Sequence, residues 1–580
     1  MAEEKWVLLN KKADYDAMVK ALDIDLLTAH LLANRGANTV EKAQRFLYGT
    51  LRDLYDPALL KGASKLTGLL QAALSRGEKI AVSSDYDADG IFSGTILKLA
   101  LERLGAQVKV FTPDRMSEGY GMNRRIVDEA EAFGAGVILT CDNGIAAYDA
   151  VSYAKSLGMT VLITDHHEQP EDGLPAADAV VDPKQEGDTY PFPDICGAVV
   201  AWKVMCLLYR ALGRREEELT DLIPYAAIAT VTDVMDLAEE NRIIVREGLK
   251  MLKQTRQPGL RAMLKVTGLE EKTLSAYHLG FVLGPCFNAA GRLETVETVQ
   301  KLLASESLEE ALPYAGKLQD LNSLRKALTE EGRRAAAELV EKQGMSGDRI
   351  LLIHLPDTHE SVAGIIAGRL RENYNRPVLV VTGKGDIVKG SGRSIPAYNL
   401  YEGLEACRDL LEKFGGHAMA AGFSLQKANL PALGKALNGQ CGLTDADLLP
   451  TVQLDAPMPP EYVTPERIRQ WEGLGPFGKG CPQPLFGRSG LSLESIRVLG
   501  QNRNALRLRF RGESGKSFEG IWFGDVRIWE KFLSETFGEK CFTMLERGQT
   551  KVRVALAYEP VLHEYEGRWS IQFQIRHFHA

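Results

Sequence analysis

Between residues 79 and 167 the chain repeats one arrangement four times: a short apolar run, then a polar or glycine-bearing cluster. The runs are KIAVSS (79–84), QVKVFTP (107–113), GVILTCDNG (136–144) and TVLITDHH (160–167), and amphipathic stretches such as SGTILKLALERLG and NRRIVDEAEAFG separate them. Strands alternating with helices in this way demand a parallel sheet covered by helices on both faces. Ligands of such sheets bind beyond the carboxyl ends of the strands, where the polar clusters fall. SSDYDADG (83–90) puts Asp85, Asp87 and Asp89 at alternate positions with no basic residue among them. Alternate residues of extended chain share a face, and carboxylates that close repel unless a counter-charge is present. TCDNG adds Asp142, TDHH adds His166 and His167, and AIATVTDVMDL adds Asp233. Asp and His donors together suit Mn2+ or Mg2+, whereas cysteine-rich sites favour zinc. Several acids around one point hold two ions about 3.5–4 Å apart, the arrangement of in-line phosphoester cleavage.

Blander readings compete. DYDADG matches the opening of a calcium EF-hand loop, but that loop needs Glu at its twelfth position. Here the twelfth residue is Ile96, and a strand rather than a helix precedes the motif. An aspartate after a strand also caps the following helix; four such clusters at neighbouring strand ends make capping alone a poor account.

Elsewhere the pattern changes. Residues 1–70 read as a helical segment, with helical spacing in LDIDLLTAHLLANRG and VEKAQRFLYGTL. Residues 71–300 are the parallel-sheet unit, and 301–344 read as a connecting helix or helix pair containing Pro313. RILLIHLP and RPVLVVTG open a smaller α/β unit over 345–448. ALRLRF, FEGIWFG, KVRVALAYEP and RWSIQFQI alternate at period two, so 449–580 reads as a small β-barrel. The fold class is therefore α/β with a C-terminal β-barrel. Eight cysteines are scattered without a CxxC pair, which suits free thiols in a reducing compartment. The acidic start MAEEKW lacks an apolar signal core and no run of 18 apolar residues occurs, so a cytoplasmic, membrane-free protein is expected. The formal net charge of -8 does not advertise nucleic-acid binding, so any basic surface must be local.

Asp165-His166-His167 is the signature of the DHH phosphoesterase superfamily, which the chain resembles. DYDADG, CDNG, DHH and the Asp233 segment occur in that superfamily's order. The likeness extends over nearly the whole chain to the superfamily's bacterial single-strand-specific 5′→3′ DNA exonucleases. It runs through LLANRG, DRMSEGYGMN (114–123), CGAVVAWK (196–203), NAAGRL (288–293), KGSGRSI (389–395), FGGHAMAAGFSL (414–425) and LGPFGKGCPQPLF (474–486).

That resemblance implies a DHH catalytic domain, a DHHA1 domain over 345–448 and an oligonucleotide-binding (OB) barrel. It implies two Mn2+ or Mg2+ ions held by Asp87, Asp89, Asp142, His166 and Asp233, with Asp142 shared by both. Asp85 is implied as a ligand or direct support, and His167 as the group beside the scissile phosphate. A 5′-phosphate pocket is implied at Arg115, Arg292, Ser391 and Arg393, with Gly415, Gly416 and His417 nearby and Tyr120 in the same nucleic-acid path. The implied activity is 5′→3′ hydrolysis of single-stranded DNA to 5′-mononucleotides in recombination and repair. A monomer is expected, with a single-strand-binding protein and a RecQ-type helicase as candidate partners. In the barrel, 14 Lys/Arg face 11 Asp/Glu from Leu491 to Ala580. Arg503, Arg507, Arg509 and Arg511 alternate, so the last three are expected to share a face, and Trp522, Phe523 and Trp569 are candidates for base stacking; Phe510, on the opposite face, is expected in the core. The chain departs from its relatives at Ser83-Ser84, at Cys286 (often arginine), at Thr358 and at Asp236 (often proline).

The same catalytic centre serves small-substrate relatives such as pyrophosphatases and dinucleotide phosphodiesterases, which need neither barrel nor N-terminal segment. A non-catalytic nucleic-acid scaffold would be expected to have lost part of the Asp/His set.

Overall fold

The computed structural model describes residues 4–580 except 116, 566 and 567; the first three residues of the acidic start and Met116 of the 114–123 motif lie outside the described residues. The apolar runs form a five-stranded, all-parallel sheet in the spatial order Val108–Phe111, Lys79–Ser84, Ala135–Cys141, Thr160–Thr164, Ala179–Val181. Four of these strands match the sequence reading. The fifth was not anticipated, because three residues carry too little periodicity to stand out. The chain order across the sheet is 2-1-3-4-5, so it reverses between Lys79–Ser84 and Ala135–Cys141. Such a reversal opens a crevice where the following loops part, and ligands bind there. Helices Ala88–Glu102 and Gly197–Ala211 cover one face; the fully buried Phe92, Val204 and Leu208 belong to its core. Helices Arg124–Phe133 and Tyr148–Ser156 cover the other.

The connector is one unbroken helix, Leu308–Lys342, not a helix pair. Pro313 is its sixth residue, past the first turn, so the helix runs through it with the ladder bond to the Glu309 carbonyl missing. Gly332 permits close approach to the smaller α/β unit, where a β-carbon would come within 2.4 Å of Ile366 Cδ1. That unit holds a mixed sheet ordered Lys413–His417, Ala420–Gln426, Ile387–Arg393, Val378–Thr382, Leu351–Leu355. The KGSGRSI motif (389–395) lies largely in the strand Ile387–Arg393.

Strands Phe486–Leu499, Ala505–Arg511, Ser517–Phe523, Arg568–His579 and Val552–Tyr565 pair in that order, and the last closes on the first to make a barrel. Arg507, Arg509 and Arg511 share its exposed face while Leu508 and Phe510 are buried. Trp522 is also buried, edge-on to Phe578, so it packs the barrel instead of offering a stacking face. Phe523 and Trp569 remain exposed. Arg503 lies in the preceding turn with φ 48°, outside the strand.

The N-terminal segment is not purely helical. Lys5–Leu8 forms a strand paired in parallel with Thr451–Leu454 at the start of the barrel unit. Beside it, Arg35 makes a two-pronged ion pair with Asp455 at 2.9 and 3.1 Å, and also donates to the carbonyls of Leu31 and Pro482. Arg242, buried over the Phe46 ring, ties the carbonyls of Phe46 and Gly475 together. All eight cysteines are free, and among the described residues no helix is long and apolar enough to cross a membrane.

Both Arg35 and Asp455 are almost fully enclosed, with side-chain exposures of 1% and 4%. Removing one partner strands a buried charge, so Asp455→Ala is expected to destabilise the chain by about 3–5 kcal/mol. Arg35→Met with Asp455→Leu is expected to cost much less. Denaturant unfolding followed by tryptophan fluorescence checks this; a loss under about 1 kcal/mol for Asp455→Ala would show that the pair does not hold the two ends together.

Candidate metal centre and phosphate pocket

Asp85, Asp87 and Asp89 follow the first strand, Asp142 follows the third and His166 and His167 follow the fourth, all around the crevice at the strand reversal. Asp233 arrives from outside the sheet, at the C-terminal end of helix Ile223–Thr232. The side chains converge in two sets. Ligand atoms of Asp85, Asp87 and Asp142 lie within 4.8 Å of one another, as do those of Asp89, His166 and Asp233. Asp142 also belongs with His166 and His167, so it stands between the sets. His166 Nε2 lies 3.0 Å from Asp142 Oδ1, 3.5 Å from Asp89 Oδ2 and 3.7 Å from Asp233 Oδ2.

Backbone geometry fixes this convergence. Asp142 sits at φ 59°, a conformation that costs a non-glycine residue energy and that recurs at functional sites. Helix Gly197–Ala211 points its first amides at Asp89, whose two oxygens accept from Gly197 N and Ala198 N at 2.7 and 2.8 Å. A β-carbon at Gly197 would come within 2.8 Å of Asp142 Cβ, so only glycine permits that approach. Asp87 does cap its helix, accepting from Gly90 N at 3.1 Å, while still belonging to the first carboxylate set. The capping reading is thus correct for this residue and insufficient for the group.

The residues fit divalent cations. Asp85 Oδ1, His166 Nδ1 and His166 Nε2 are buried without a hydrogen-bond partner, although Nε2 has three carboxylates around it. Donors that converge without bonding one another are arranged for a third party between them. Burial, reinforced by neighbouring carboxylates, pushes the Asp85, Asp142 and Asp233 carboxyls well above the usual carboxylate range. Burial raises Asp89 as well, against the pull of His166. Burial lowers His166, leaving a neutral imidazole able to ligate. Oxygen and imidazole donors without thiolate suit Mn2+ or Mg2+.

His167 is held differently. Its Nδ1–H points to Asp165 Oδ1 at 2.7 Å and to the Tyr120 hydroxyl oxygen at 3.0 Å, and the Tyr120 hydroxyl donates to the Asp142 carbonyl at 2.7 Å. Burial opposes charge on His167, but the hydrogen bond and charge of Asp165 outweigh it and push the imidazole up to about 9. Burial likewise opposes ionisation of Asp165, yet His167 holds its carboxyl below the usual value. Asp165 also accepts from the amides of Ile145 and His166. Reading the sequence had not given Asp165 this supporting place, because a signature motif does not say which groups its acid bonds. Asn288, which accepts from Ala88 N at 2.8 Å, opens the NAAGRL motif but was given no place at the site from the sequence. Asp182 was missed too; it is buried at the end of the fifth strand and raised to about 7 by burial and by Asp165.

Guanidiniums gather to one side. Arg292 donates to the Ser361 carbonyl at 2.9 Å and Arg115 lies 5.1 Å from the Tyr86 ring centre. Arg393 lies beside Ser391 on the second sheet, facing Gly364 of helix Glu360–Tyr374. Among the described residues none of these three arginines has an ion pair. Burial, then Arg115 and Arg325, lower Arg292 to about 10, and burial followed by Arg115 lowers Arg393. An unpaired, desolvated arginine cluster suits an anion. Gly415, Gly416 and His417 lie on the exposed edge strand Lys413–His417 of the same unit. In the barrel, Arg509 and Arg511 share Glu494 with Lys551, whereas Arg507 has no ion pair among the described residues. At the departures from its relatives, Cys286 is buried against Asn322 at 3.4 Å and Asp236 faces Lys479 at 3.4 Å.

Comparison with known proteins agrees with this geometry. The DHH family, N-terminal domain, matches residues 79–230, the DHHA1 domain 347–442 and the RecJ OB domain 454–577. The single-stranded-DNA-specific exonuclease RecJ of Escherichia coli is 32% identical over 590 residues, covering 98% of each chain. That of Bacillus subtilis is 38% identical over 504 residues, which span 86% of this chain but only 63% of the relative's length. The crystal structure of RecJ from Thermus thermophilus in complex with Mn2+ superposes with a TM-score of 0.82 at 27% identity, covering 99% of this chain and 79% of that one. A second from the same organism, in complex with Mg2+, gives 0.76 at 26% identity and covers 99% of this chain and 78% of that one. A DHH centre at the strand reversal, a DHHA1 unit and a RecJ OB barrel, together with 32% identity to the Escherichia coli protein over 98% of each chain, establish that the chain belongs to the RecJ family.

Proposed function

We propose that the chain is a metal-dependent exonuclease that degrades single-stranded DNA from its 5′ end, releasing 5′-mononucleotides for recombination and repair. The observation that carries this reading is the adjacency of two converging carboxylate and imidazole sets to an arginine cluster without counter-ions. The first suits phosphodiester hydrolysis and the second suits a terminal phosphate. Asp87, Asp89, Asp142, His166 and Asp233 would hold two divalent ions, with Asp85 completing the first set. Such ions supply Lewis-acid charge and lower the pKa of water.

The remaining roles belong to the chain itself. Asp165 fixes the ring of His167 through Nδ1, which leaves Nε2 for the scissile phosphate. The proton that His167 retains at neutral pH places positive charge where negative charge develops. Arg115, Arg292 and Arg393, with Ser391, grip the 5′-terminal phosphate; the edge strand at Gly415–His417 borders this grip. Seating the terminal phosphate in that pocket sets polarity, because it presents the next phosphodiester to the metal centre. Arg507, with Arg509 and Arg511, lets the barrel follow the strand further on. The chain is proposed to act as a monomer in the cytoplasm, on strands opened by a RecQ-type helicase and coated by a single-strand-binding protein.

Asp142→Ala is expected to lower kcat on a 5′-phosphorylated single strand by on the order of 10³-fold, since it removes a carboxylate shared by both sets. Turnover within about tenfold of wild type would contradict the shared-ligand assignment. Arg393→Ala is expected to shrink the preference for 5′-phosphate over 5′-hydroxyl ends by about 10- to 100-fold, the worth of a charged hydrogen bond. Competition between the two end-labelled substrates reads this directly, and an unchanged ratio would remove Arg393 from the pocket.

A further inference from the structure

On the outer face of the barrel two arginines stand side by side with no carboxylate between them. Arg497 of strand Phe486–Leu499 lies directly opposite Arg507 of strand Ala505–Arg511, and both are exposed. Like charges directly opposite on antiparallel strands repel, and among the described residues neither arginine has an ion pair. Further along the same two strands the arrangement reverses. Strand Phe486–Leu499 carries a bulge between Leu493 and Ser495, which makes Glu494 an extra residue in the ladder. Leu493 is fully buried in the barrel core, and Glu494 and Ser495 together oppose Arg509. A bulge re-aims a side chain, and this one turns an acid onto the basic face.

Glu494 is fully engaged there. Its Oε1 accepts from Arg511 Nε at 2.7 Å and from Lys551 Nζ at 2.9 Å. Its Oε2 accepts from Ser517 Oγ at 3.1 Å and lies 3.8 Å from Arg509 Nε. The hydrogen bonds from Arg511 and Lys551 hold the carboxyl down at about 2, so it stays ionised far below neutral pH. The Glu494 side chain is 9% exposed, whereas those of Arg511 and Lys551 are 43% and 62% exposed. The carboxylate thus lies beneath its cations, joined to them by charge-assisted hydrogen bonds of the kind a phosphate oxygen would accept. Relief of repulsion alone does not account for it, because Arg497 and Arg507 oppose each other without any such acid. A surface that only had to hold DNA would have no use for a carboxylate among its cations.

We propose that Glu494 is an internal stand-in for a strand phosphate, which confines the barrel's grip on DNA to Arg497 and Arg507 and keeps Arg509, Arg511 and Lys551 from fastening the strand. This rests on the strand-degrading activity proposed above and deepens it. An enzyme that removes one nucleotide at a time must shift its strand after every cut. Each phosphate contact on the barrel must then break and form again. Every added contact raises affinity by releasing counterions, and every charged hydrogen bond adds to what must be broken for the strand to move. The Arg497–Arg507 pair retains the strand, whereas the whole basic face, if free, would resist its advance. Glu494 gives up affinity in exchange for movement.

The test compares wild type, E494Q and R497A/R507A as full-length chains. Binding of a long 5′-phosphorylated single strand is followed by fluorescence anisotropy over a range of salt, without divalent ions so that nothing is cut. Steady-state degradation of the same strand is then measured with Mn2+. E494Q releases Arg511 and Lys551, so it is expected to bind about 5- to 20-fold tighter at about 0.15 M salt and to steepen the slope of log K against log salt by about 1 to 2. Its KM is expected to fall and its kcat to fall with it, by about threefold or more, because the added contacts slow each advance. R497A/R507A is expected to flatten the slope by about 1.4, the worth of two phosphate contacts on a single strand. An acid that merely braced the bulge would weaken binding when replaced, so the direction of the change separates the two roles. Binding by E494Q no tighter than wild type, or tighter binding with undiminished kcat, would overturn the proposal. Should E494Q fail to fold, R497A/R507A still decides, because both side chains are exposed and an unchanged slope would show that the barrel does not grip through them. Failure of wild type to bind and degrade the strand would instead overturn the function proposed above.

Discussion

Buried carboxylates without a basic partner are the constraint on which the rest of this structure depends. Asp85, Asp89 and Asp142 are buried and Asp233 beside them is half-buried; all are held close enough to repel, in surroundings that penalise charge. A fold tolerates this only where the scaffold over-determines it. The parallel sheet supplies two of the strand ends, and the reversal of strand order opens the gap between them. The first amides of helix Gly197–Ala211 anchor Asp89, and the strained backbone at Asp142 aims its carboxylate between the two sets. Cations placed there convert the repulsion into attraction, so the stress in the protein alone and the affinity for metal have the same origin.

Much of this was legible in the sequence because it is local. Apolar runs ending in Asp85, Asp142 and His166 announce strands with ligands at their ends, and period two in ALRLRF correctly placed Arg507, Arg509 and Arg511 on one face. What escaped was long-range or too short. The strand Lys5–Leu8 finds its partner at Thr451–Leu454, near the other end of the chain, and no local pattern reveals that. Ala179–Val181 is a strand only because Thr160–Thr164 offers it an edge. Trp522 looked like a stacking platform, but strand alternation turns it inward beside Phe578. Asp165 is the instructive case at the site. Its motif was recognised, yet its task of orienting His167 appears only from the two oxygens' partners.

The arginines have a complementary logic. Arg35 and Arg242 are buried with their partners satisfied and tie the N-terminal segment to the barrel unit. Arg115, Arg292 and Arg393 gather without carboxylate partners among the described residues, and mutual repulsion with desolvation makes Arg292 and Arg393 receptive to an anion. The same side chain serves structure in one place and suits a ligand in another; Arg35 is held by a carboxylate, whereas Arg242, without an ion pair among the described residues, is held by the Phe46 and Gly475 carbonyls. In the barrel Glu494 mixes them, since it neutralises part of the basic face and leaves Arg507 available.

The central claim is that the two side-chain sets are two cation sites sharing Asp142. Anomalous diffraction at the manganese edge, from crystals of this chain grown with Mn2+, tests it most directly. The account predicts two peaks, one among Asp85, Asp87 and Asp142 and one among Asp89, His166 and Asp233, with Asp142 touching both. A single peak at saturating Mn2+, or peaks away from these side chains, would contradict it.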